Sequence, residues 1–405
     1  MAQIHQPQLD WIDAQVPAMR DELLRLSGIN SGSFNAAGVN AVAQRLRTLF
    51  APLEADCETL DVAPHRSTGD DGKPRNYSLG NALRLRKRAD APLKIFLCGH
   101  MDTVFGPDHH FQTARQADAD TLHGPGVADL KGGMLVMFLA LSALERSEYR
   151  ERIGWEVLFN PDEEIGSQSS APLLMEAARR NHFGLVYEPA FEDGNLAAAR
   201  KGSGNFDVIV HGRAAHAGRE PQLGRNAIRA CADFIGALDA LNGQREGVTI
   251  NPGYVRGGGA LNIVPELCVF QFNVRTAQAA DECWMQEQLD VLVGRIRQRE
   301  GFSVELRGSF TRPPKIFDAA NQKLANLIGD CGKKLGLDLQ FKPTGGCCDG
   351  NNLAAAGLPN IDNLGVAGGA IHSDREFMKI SSLAERGKLS ALLLLRLASG
   401  ELQWR

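Results

Sequence analysis

Histidine and carboxylate side chains follow the segments that the sequence predicts as buried strands. His100 and Asp102 come after the apolar run 93–98, and because strand side chains alternate, both leave the same face of the strand. Asp129 lies in the glycine-rich stretch "GPGVADLKGG". Further candidates in similar positions are Glu163 and Glu164 in "NPDEEIGS", Glu188 in "YEPA" and His372 in "AIHSDREF". Ligands bind at the carboxyl edge of open α/β sheets, so we expect these side chains to converge there.

These residue types indicate a metal site. Carboxylates that meet in one crevice repel one another and do not all remain ionised unless cations lie among them. Two histidines with several carboxylates suit zinc, manganese or cobalt better than calcium or magnesium. With one carboxylate bridging, five ligands can hold a pair of zinc ions, and the sixth group would be a base. Taken singly, each residue has an alternative as a hydrogen-bonded loop histidine or a solvated acidic turn.

The composition excludes several classes of partner. The chain has 405 residues and a formal net charge of -4, so no general positive field would attract nucleic acid or an anionic membrane. We therefore expect a small-molecule substrate. The 8 cysteines show no CxxC spacing and predict free thiols. Segment 1–20 lacks signal-peptide features, and we expect no membrane-spanning run and a cytoplasmic protein.

Alternating strand and helix patterns predict an α/β fold. The continuous apolar runs 93–100 and 153–160 are typical of parallel strands buried on both faces. An apolar helix over 130–147 separates them. This order predicts a mostly parallel sheet sandwiched between helices.

A different pattern interrupts this α/β arrangement. Segment 226–242 predicts an amphipathic helix, and segment 266–275 alternates apolar and polar residues like a half-buried strand. Helices packed on one face of an antiparallel sheet fit this pattern. We therefore predict a discontinuous catalytic domain, 1–200 and 316–405, with a smaller α+β domain inserted at 201–315.

Six motifs in a fixed order resemble the family of two-zinc exopeptidases and deacylases. The motifs are "GHMDTV", "GPGVADLKGG", "PDEEIGS", "EPA", "GRAAHAG" and "HSDREF". The family includes glutamate carboxypeptidase, which the chain resembles most, acetylornithine deacetylase, succinyl-diaminopimelate desuccinylase and the aminoacylases. The resemblance implies a zinc exopeptidase fold of the phosphorylase/hydrolase-like type. It also implies that the inserted ferredoxin-like domain closes over the site as a lid and forms homodimers.

The resemblance implies the ligands of two zinc ions, which cobalt or manganese could replace. His100 and Glu164 would bind one ion, and Glu188 and His372 would bind the other. Asp129 would bridge both ions.

Other features of the centre are implied by the same motifs. Asp102 would orient the imidazole of the preceding histidine through its second ring nitrogen. Glu163 would be the general base, taking a proton from water and passing it to the leaving amine. In an extended backbone, Glu163 and Glu164 would point in opposite directions, one to a metal and one to the water. A cis peptide bond is expected between Asp129 and Leu130.

Residues of the inserted domain are implied in catalysis and substrate binding. His216 of "GRAAHAG" would reach across from the partner subunit to stabilise the oxyanion. Asn262 of "ALNIVP" would contact polar groups of the substrate, and Arg275 of "NVR" would bind a free carboxylate. Without the resemblance, these residues would be a packed histidine, a turn residue and a surface charge.

Specificity residues are implied near the domain boundary. Lys201 and Arg312 occupy positions where glutamate carboxypeptidases place basic residues for an acidic side chain. Gly345 and Gly346 belong to the loop "TGGCCDGNN", which is a candidate substrate contact.

That loop departs from the "TGGGTD" pattern of the glutamate carboxypeptidases. Cys347 and Cys348 stand in place of a glycine and a threonine. An alternative interpretation makes one of these thiols a nucleophile or a zinc ligand, although no histidine nearby in the sequence supports a Cys–His pair.

Three functions follow from this pattern. The first is a metallo-carboxypeptidase that releases a C-terminal amino acid, acidic in character, from a peptide or an N-acyl conjugate. The second is an N-acyl amino acid deacylase of the acetylornithine or succinyl-diaminopimelate kind. The third is a metal-binding protein without catalysis, which the presence of Glu163 disfavours.

Overall fold

A computed structural model describes residues 2–404 of the chain. Its helices are α1 (Gln6–Ser27), α2 (Ala36–Phe50), α3 (Gly132–Glu145), α4 (Ala171–Arg180), α5 (Ala227–Asp239), α6 (Ala279–Arg297), α7 (Ala319–Lys334), α8 (Asp349–Ala355) and α9 (Ser381–Ser399). Its strands are β1 (Asp56–Leu60), β2 (His65–Thr68), β3 (Pro74–Tyr77), β4 (Ala82–Lys87), β5 (Leu93–His100), β6 (Arg115–Gln116), β7 (Thr121–His123), β8 (Ile153–Asn160), β9 (Phe183–Val186), β10 (Leu196–Arg200), β11 (Gly202–His211), β12 (Thr249–Gly257), β13 (Leu267–Thr276), β14 (Ser303–Arg312), β15 (Phe341–Thr344), β16 (Asn360–Ile361), β17 (Gly368–Gly369) and β18 (Phe377–Lys379).

The largest sheet is mostly parallel, as predicted. Its order is β1-β4-β8-β5-β9-β16. Strands β8, β5, β9 and β16 run parallel, whereas β1 and β4 pair antiparallel at one edge. The strand that carries His100 therefore lies inside the sheet between two parallel neighbours.

Helices cover both faces of this sheet. Ile95 and Leu97 of β5 join a hydrophobic cluster that includes residues of α1, α3 and α9. Phe96 and Cys98 face the other way and pack in a cluster with residues of α4 and α8. Because side chains alternate along a strand, burial on both faces favours apolar residues at successive positions, as at 95–98. This burial explains the largely apolar run that predicted the strand.

Helix α3 is a core helix. The stretch Val127–Glu145 is long and apolar enough to span a bilayer, so the expectation that no such run occurs is wrong. Nearly all of the stretch is buried, and α3 packs against α1 and α9. Its apolar character is thus accounted for by packing in the protein interior.

The segment between β10 and α7 forms a second sheet. Strands β12, β13, β11 and β14 lie in this order and pair antiparallel. With α5 and α6, the chain order is the βαββαβ pattern of ferredoxin-like folds. A separate hydrophobic cluster joins this sheet to α5 and α6 and includes Phe234, Phe270 and Leu289. The ferredoxin-like arrangement is therefore present, while the domain boundaries at 200/201 and 315/316 stay a prediction.

The cysteines carry no covalent link. All eight have free thiols, as the sequence predicts.

Candidate metal centre

Loops at the carboxyl edge of the large sheet carry the predicted ligands. His100 ends β5, Glu164 follows β8, and Glu188 follows β9. Asp129 lies in the irregular turn before α3 and is joined to the next residue by a cis peptide bond, as expected. His372 follows β17. The convergence that the sequence predicts at this edge is therefore observed.

The side chains form two groups that share Asp129. Ligand atoms of His100, Asp129 and Glu188 lie within 4.8 Å of one another, and so do those of Asp129, Glu164 and His372. The Oδ1 atom of Asp129 is 3.2 Å from Nε2 of His100, and its Oδ2 atom is 3.3 Å from Nε2 of His372. Asp129 is therefore placed to bridge two cations.

The expected pairing of the other ligands is wrong. Glu188 Oε1 lies 3.9 Å from Nε2 of His100, and Glu164 Oε2 lies 3.1 Å from Nε2 of His372. Sheet register explains the exchange: Cys98 is opposite Val186, so Glu188 continues β9 beside His100. Glu164 lies beyond the end of β8, and the following turn carries it toward His372.

Burial and like charge perturb the titration of these groups. Burial and the Asp129 carboxylate raise the pKa of Glu164 to about 8. Burial and the Glu163 carboxylate raise the pKa of Glu188 well above its usual value. Hydrogen bonds to Asp129 and Glu164 raise the pKa of His372 to about 11. Cations between these groups would relieve the repulsion and displace the protons.

The donor set fits two divalent cations of the zinc type. Each group supplies one imidazole and carboxylate oxygens, which are zinc ligands, and each leaves coordination positions open. A cavity of about 340 Å³ adjoins the ligands and is lined by Asp129, Glu188 and His372 among others. A small substrate can therefore reach the centre.

Asp102 holds both His100 and the turn that carries the two glutamates. The Nδ1–H group of His100 donates to the Asp102 carbonyl oxygen at 2.9 Å, which leaves Nε2 for a cation. The carboxylate of Asp102 accepts the backbone N–H groups of Glu163 and Glu164, each at 3.1 Å, and the Ser33 hydroxyl at 2.7 Å. Oδ1 of Asp102 also lies 3.4 Å from Nδ1 of His100. The carbonyl and the carboxylate of Asp102 therefore both face the ring, and the carboxylate also positions the turn.

The two glutamates lie in a 3-10 turn, Glu163–Ile165, so the expected extended backbone is wrong. A turn lets successive N–H groups point toward one acceptor, which is the Asp102 carboxylate. The two side chains nevertheless diverge. Glu164 faces His372, whereas Oε1 of Glu163 lies 2.9 Å from Nη2 of Arg312.

Arg312, at the end of β14, is buried and bonded to the protein. Its Nη2 group donates to the Glu163 carbonyl oxygen at 2.9 Å and to the Ser167 hydroxyl at 2.7 Å. Asp349 Oδ1 lies 3.6 Å from the same nitrogen. Because the guanidinium is buried and its Nη2 group is already bonded to protein oxygens, its position does not favour the expected contact with an acidic substrate side chain. Arg312 instead joins the segment 201–315, here called the inserted unit, to Glu163.

A cysteine lies between two arginines beside the cavity. Nη1 of Arg275 is 2.8 Å from Sγ of Cys347, and Nη1 of Arg312 is 3.7 Å from the same sulfur. Cys347 lines the cavity with the ligands. Arg275, which is only half-buried, is therefore near the space where a substrate would bind.

Cys348 has a structural role. Its Sγ atom accepts the N–H of Gly350 at the start of α8, and its S–H donates to Asp362 Oδ1 at 3.4 Å. Burial raises the pKa of this thiol well above its usual value, so it stays protonated. The thiol caps the helix as a hydroxyl would. Among the described residues, neither Cys347 nor Cys348 belongs to the two ligand groups.

A second cavity, of about 400 Å³, adjoins the first. Lys201 and Gly345 line it, and Arg200 and Thr344 line both cavities. Gly346 lines the cavity that contains the ligands. Gly346 therefore lies beside the ligands, whereas Lys201 and Gly345 lie beside the adjoining cavity.

His216 and Asn262 lie together on exposed loops of the inserted unit. The N–H of Ala217 donates to the Asn262 carbonyl oxygen at 2.9 Å. Nδ1 of His216 accepts the N–H groups of Gly218 and Arg219, each at 3.1 Å, so the neutral ring carries its proton on Nε2. Neither His216 nor Asn262 is among the described residues that line the ligand cavity of their own chain.

Glu376 is a positioning residue that the sequence analysis missed. Its buried carboxylate accepts the N–H groups of Gly126 and Ala128 at 2.9 Å and that of Asp129 at 3.0 Å. Burial raises its pKa to about 7. Glu376 therefore holds the turn that presents the bridging carboxylate. Its presence in the same motif as His372 was the available signal.

Comparison with known proteins places these residues in a family. A model described as "Peptidase family M20/M25/M40" matches residues 96–396. Carboxypeptidase G2 of Pseudomonas sp. (strain RS-16) is 28% identical over 393 residues, which cover 95% of this chain and 90% of that protein. Succinyl-diaminopimelate desuccinylase of Nitrosococcus oceani is 25% identical over 366 residues, covering 85% of this chain and 94% of that protein.

Solved structures share the fold. The M20 family metallo-carboxypeptidase Sso-CP2 from Sulfolobus solfataricus has a TM-score of 0.75 at 15% identity, covering 94% of this chain and 99% of that one. The family match extends over the segment that contains every residue of the two ligand groups. This chain therefore belongs to peptidase family M20/M25/M40 and is a metallo-hydrolase.

Proposed function

We propose that this protein is a carboxypeptidase that removes a C-terminal amino acid, preferably an acidic one such as glutamate, from a peptide or an N-acyl conjugate. The observation that carries the proposal is the pair of ligand groups that share Asp129, with Glu163 beside them and Arg275 close by. The match to carboxypeptidase G2 over most of the chain supports it. Two zinc ions per subunit, or cobalt or manganese ions, would occupy the centre.

The chain supplies the groups for amide hydrolysis. Bound cations would polarise the amide carbonyl and make water more acidic. The Glu163 carboxylate, held by Arg312, would take the proton of the attacking water and give it to the leaving amine. Arg275 would bind the free carboxylate of the substrate through charge-assisted hydrogen bonds.

The cavity beside Lys201 supports an acidic C-terminal residue. Three of its lining residues are the cations Arg200, Lys201 and Lys315, and none of its described lining residues is acidic. Arg200 and Lys315 both bind Asp362, at 2.9 and 2.7 Å, so Lys201 is the cation available to a substrate carboxylate.

A deacylase is the second candidate, favoured by the desuccinylases among the relatives. A substrate comparison distinguishes the two. Protein stripped by a chelator is expected to be inactive and, after reloading with zinc, to cleave an N-acyl-glutamate. The matching α-carboxamide should react about 10- to 100-fold more slowly, since a charged hydrogen bond is lost.

The same assay measures the rates of cleavage of N-acetylornithine and N-succinyl-diaminopimelate, the substrates expected of a deacylase. Faster cleavage of either one than of the N-acyl-glutamate would favour the deacylase. Equal rates for the acid and its α-carboxamide would argue against a carboxypeptidase.

We also propose that His216 acts across a homodimer formed by the inserted unit. Its exposed position and its Nε2–H donor suit an oxyanion contact from a partner subunit. His216→Ala and Glu163→Gln homodimers should each be nearly inactive. Mixing the two variants should restore activity to about a quarter of the wild-type value, because about half of the dimers become hybrids and one of the two sites in each hybrid is intact. A monomer in light scattering, or no recovery on mixing, would contradict the arrangement.

A further inference from the structure

Arg275 and Arg312 lie in one row across the sheet of the inserted unit. Ser203 of β11 pairs with Arg275 of β13 on one side and with Arg312 of β14 on the other. Residues that pair directly across antiparallel strands point to the same face of the sheet. The sulfur of Cys347 lies 2.8 Å from Nη1 of Arg275 and 3.7 Å from Nη1 of Arg312. A residue outside the inserted unit therefore contacts both cations.

The two guanidinium groups differ in their other partners. Nη2 of Arg312 donates to the Glu163 carbonyl oxygen and to the Ser167 hydroxyl. Among the described residues, Cys347 is the one hydrogen-bond partner of the Arg275 side chain, and no carboxylate forms an ion pair with it. The contact uses Nη1, so the Nε and Nη2 atoms of Arg275 remain available. Two adjacent N–H donors of this kind can bind both oxygens of a carboxylate.

The loop that carries Cys347 is held by the protein on both sides. The Gly346 carbonyl oxygen accepts Nη1 of Arg200 at 3.3 Å. The Cys348 thiol caps α8 and donates to Asp362, which follows β16 of the large sheet. Cys347 also lines the cavity that contains the metal ligands. Its sulfur is therefore fixed relative to the metal centre and can hold a side chain of the inserted unit in place.

We propose that Cys347 is a positioning residue for Arg275. Its sulfur accepts a hydrogen bond from Nη1, which directs the Nε and Nη2 donors to the free carboxylate of the substrate. The inference rests on the proposed function, because that function assigns this carboxylate to Arg275. Sulfur is a weak acceptor, so a neutral thiol orients the guanidinium while leaving its charge for the substrate. A glycine at this position, as in the "TGGGTD" pattern, would offer no side-chain acceptor.

The test measures KM and kcat for the N-acyl-glutamate and for the matching α-carboxamide. Cys347→Ala should raise KM for the acid about 3- to 10-fold, as expected for the loss of one hydrogen bond. The value of kcat should stay within about twofold, because Arg312 still holds Glu163. The α-carboxamide should keep its kcat/KM within about twofold, since it forms no charge-assisted pair with Arg275. Cys347→Ser restores an acceptor and should recover most of the lost affinity for the acid.

A double variant determines whether Cys347 acts through Arg275. In the Arg275→Met background, adding Cys347→Ala should change KM by less than about twofold, because the group that the sulfur orients is absent. Cys283→Ala is the matched control, since this thiol is exposed on α6, and it should change neither KM nor kcat. In the Glu163→Gln background, calorimetry should show that Cys347→Ala weakens binding of the acid by the same factor as it raises KM.

Several outcomes would overturn the positioning role and leave the carboxypeptidase proposal standing. They are an unchanged KM in Cys347→Ala, a fall in kcat in place of the rise in KM, an equal loss for both compounds, and a further rise in KM in the Arg275→Met background. If the wild type cleaved the acid no faster than the α-carboxamide, the positioning role and the carboxypeptidase proposal would both be wrong.

Discussion

Replacing Glu163 by glutamine is expected to reduce kcat by about 10²- to 10⁴-fold, the usual contribution of a general base. The amide has nearly the shape of the carboxylate but cannot accept a proton from water. Metal binding should persist, because Glu163 is in neither ligand group. The measurement is kcat together with the metal content from elemental analysis.

The variant should fold normally. The backbone N–H of residue 163 still donates to Asp102, and the carbonyl oxygen of the same residue still accepts from Arg312. Glu151→Gln is the matched control, since Glu151 is an exposed glutamate on the surface, with 71% of its side chain accessible. If Glu163→Gln kept wild-type kcat with its metals bound, the proposed base would be wrong. Loss of the metals would instead place Glu163 among the ligands.

Two arginines beside Cys347 should give opposite kinetic effects. Arg275→Met should raise KM by about 10- to 100-fold, because a charged hydrogen bond to the substrate carboxylate is lost. Arg312→Met should leave KM nearly unchanged and lower kcat by about tenfold or more, because the Glu163 carboxylate loses the group that orients it. Steady-state kinetics with the same N-acyl-glutamate separates the two effects.

Conservative variants and a rescue test the assignment of Arg312 as a positioning residue. Arg312→Lys keeps the charge and should retain more kcat than Arg312→Met. Guanidinium ion should restore part of kcat to Arg312→Met but not lower the KM of Arg275→Met. A rise in KM alone for Arg312→Met would return Arg312 to the substrate-binding role that the sequence first implied.

Local pattern was enough to predict the framework of the site. The runs 93–100 and 153–160 match β5 and β8 residue for residue, because a strand buried on both faces is apolar at most of its successive positions. Glycine-rich turns and strand ends then placed the histidines and carboxylates at one edge. The resemblance to zinc exopeptidases supplied their roles as ligands, and the expected cis peptide after Asp129 is present.

The sequence by itself therefore determined which residue types converge, since strand order and side-chain alternation are local properties. Only the tertiary structure decided which ligands share an ion. The register of β5 with β9 places Glu188 beside His100, and a turn rather than an extended segment carries Glu164 to His372. The register between strands that are distant in the sequence depends on how they pack, and motif spacing alone does not predict it.

The same limit applies to the buried polar contacts. Arg312 belongs to a sheet that is remote in sequence from Glu163, and only the packing of the inserted unit against the large sheet brings them together. Glu376 accepts hydrogen bonds from three backbone N–H groups. Every residue except proline has such a group, so the pattern of side chains does not predict these contacts. The sequence specifies which chemical groups the side chains carry. The direction in which each side chain points depends on the turns and contacts of the folded chain.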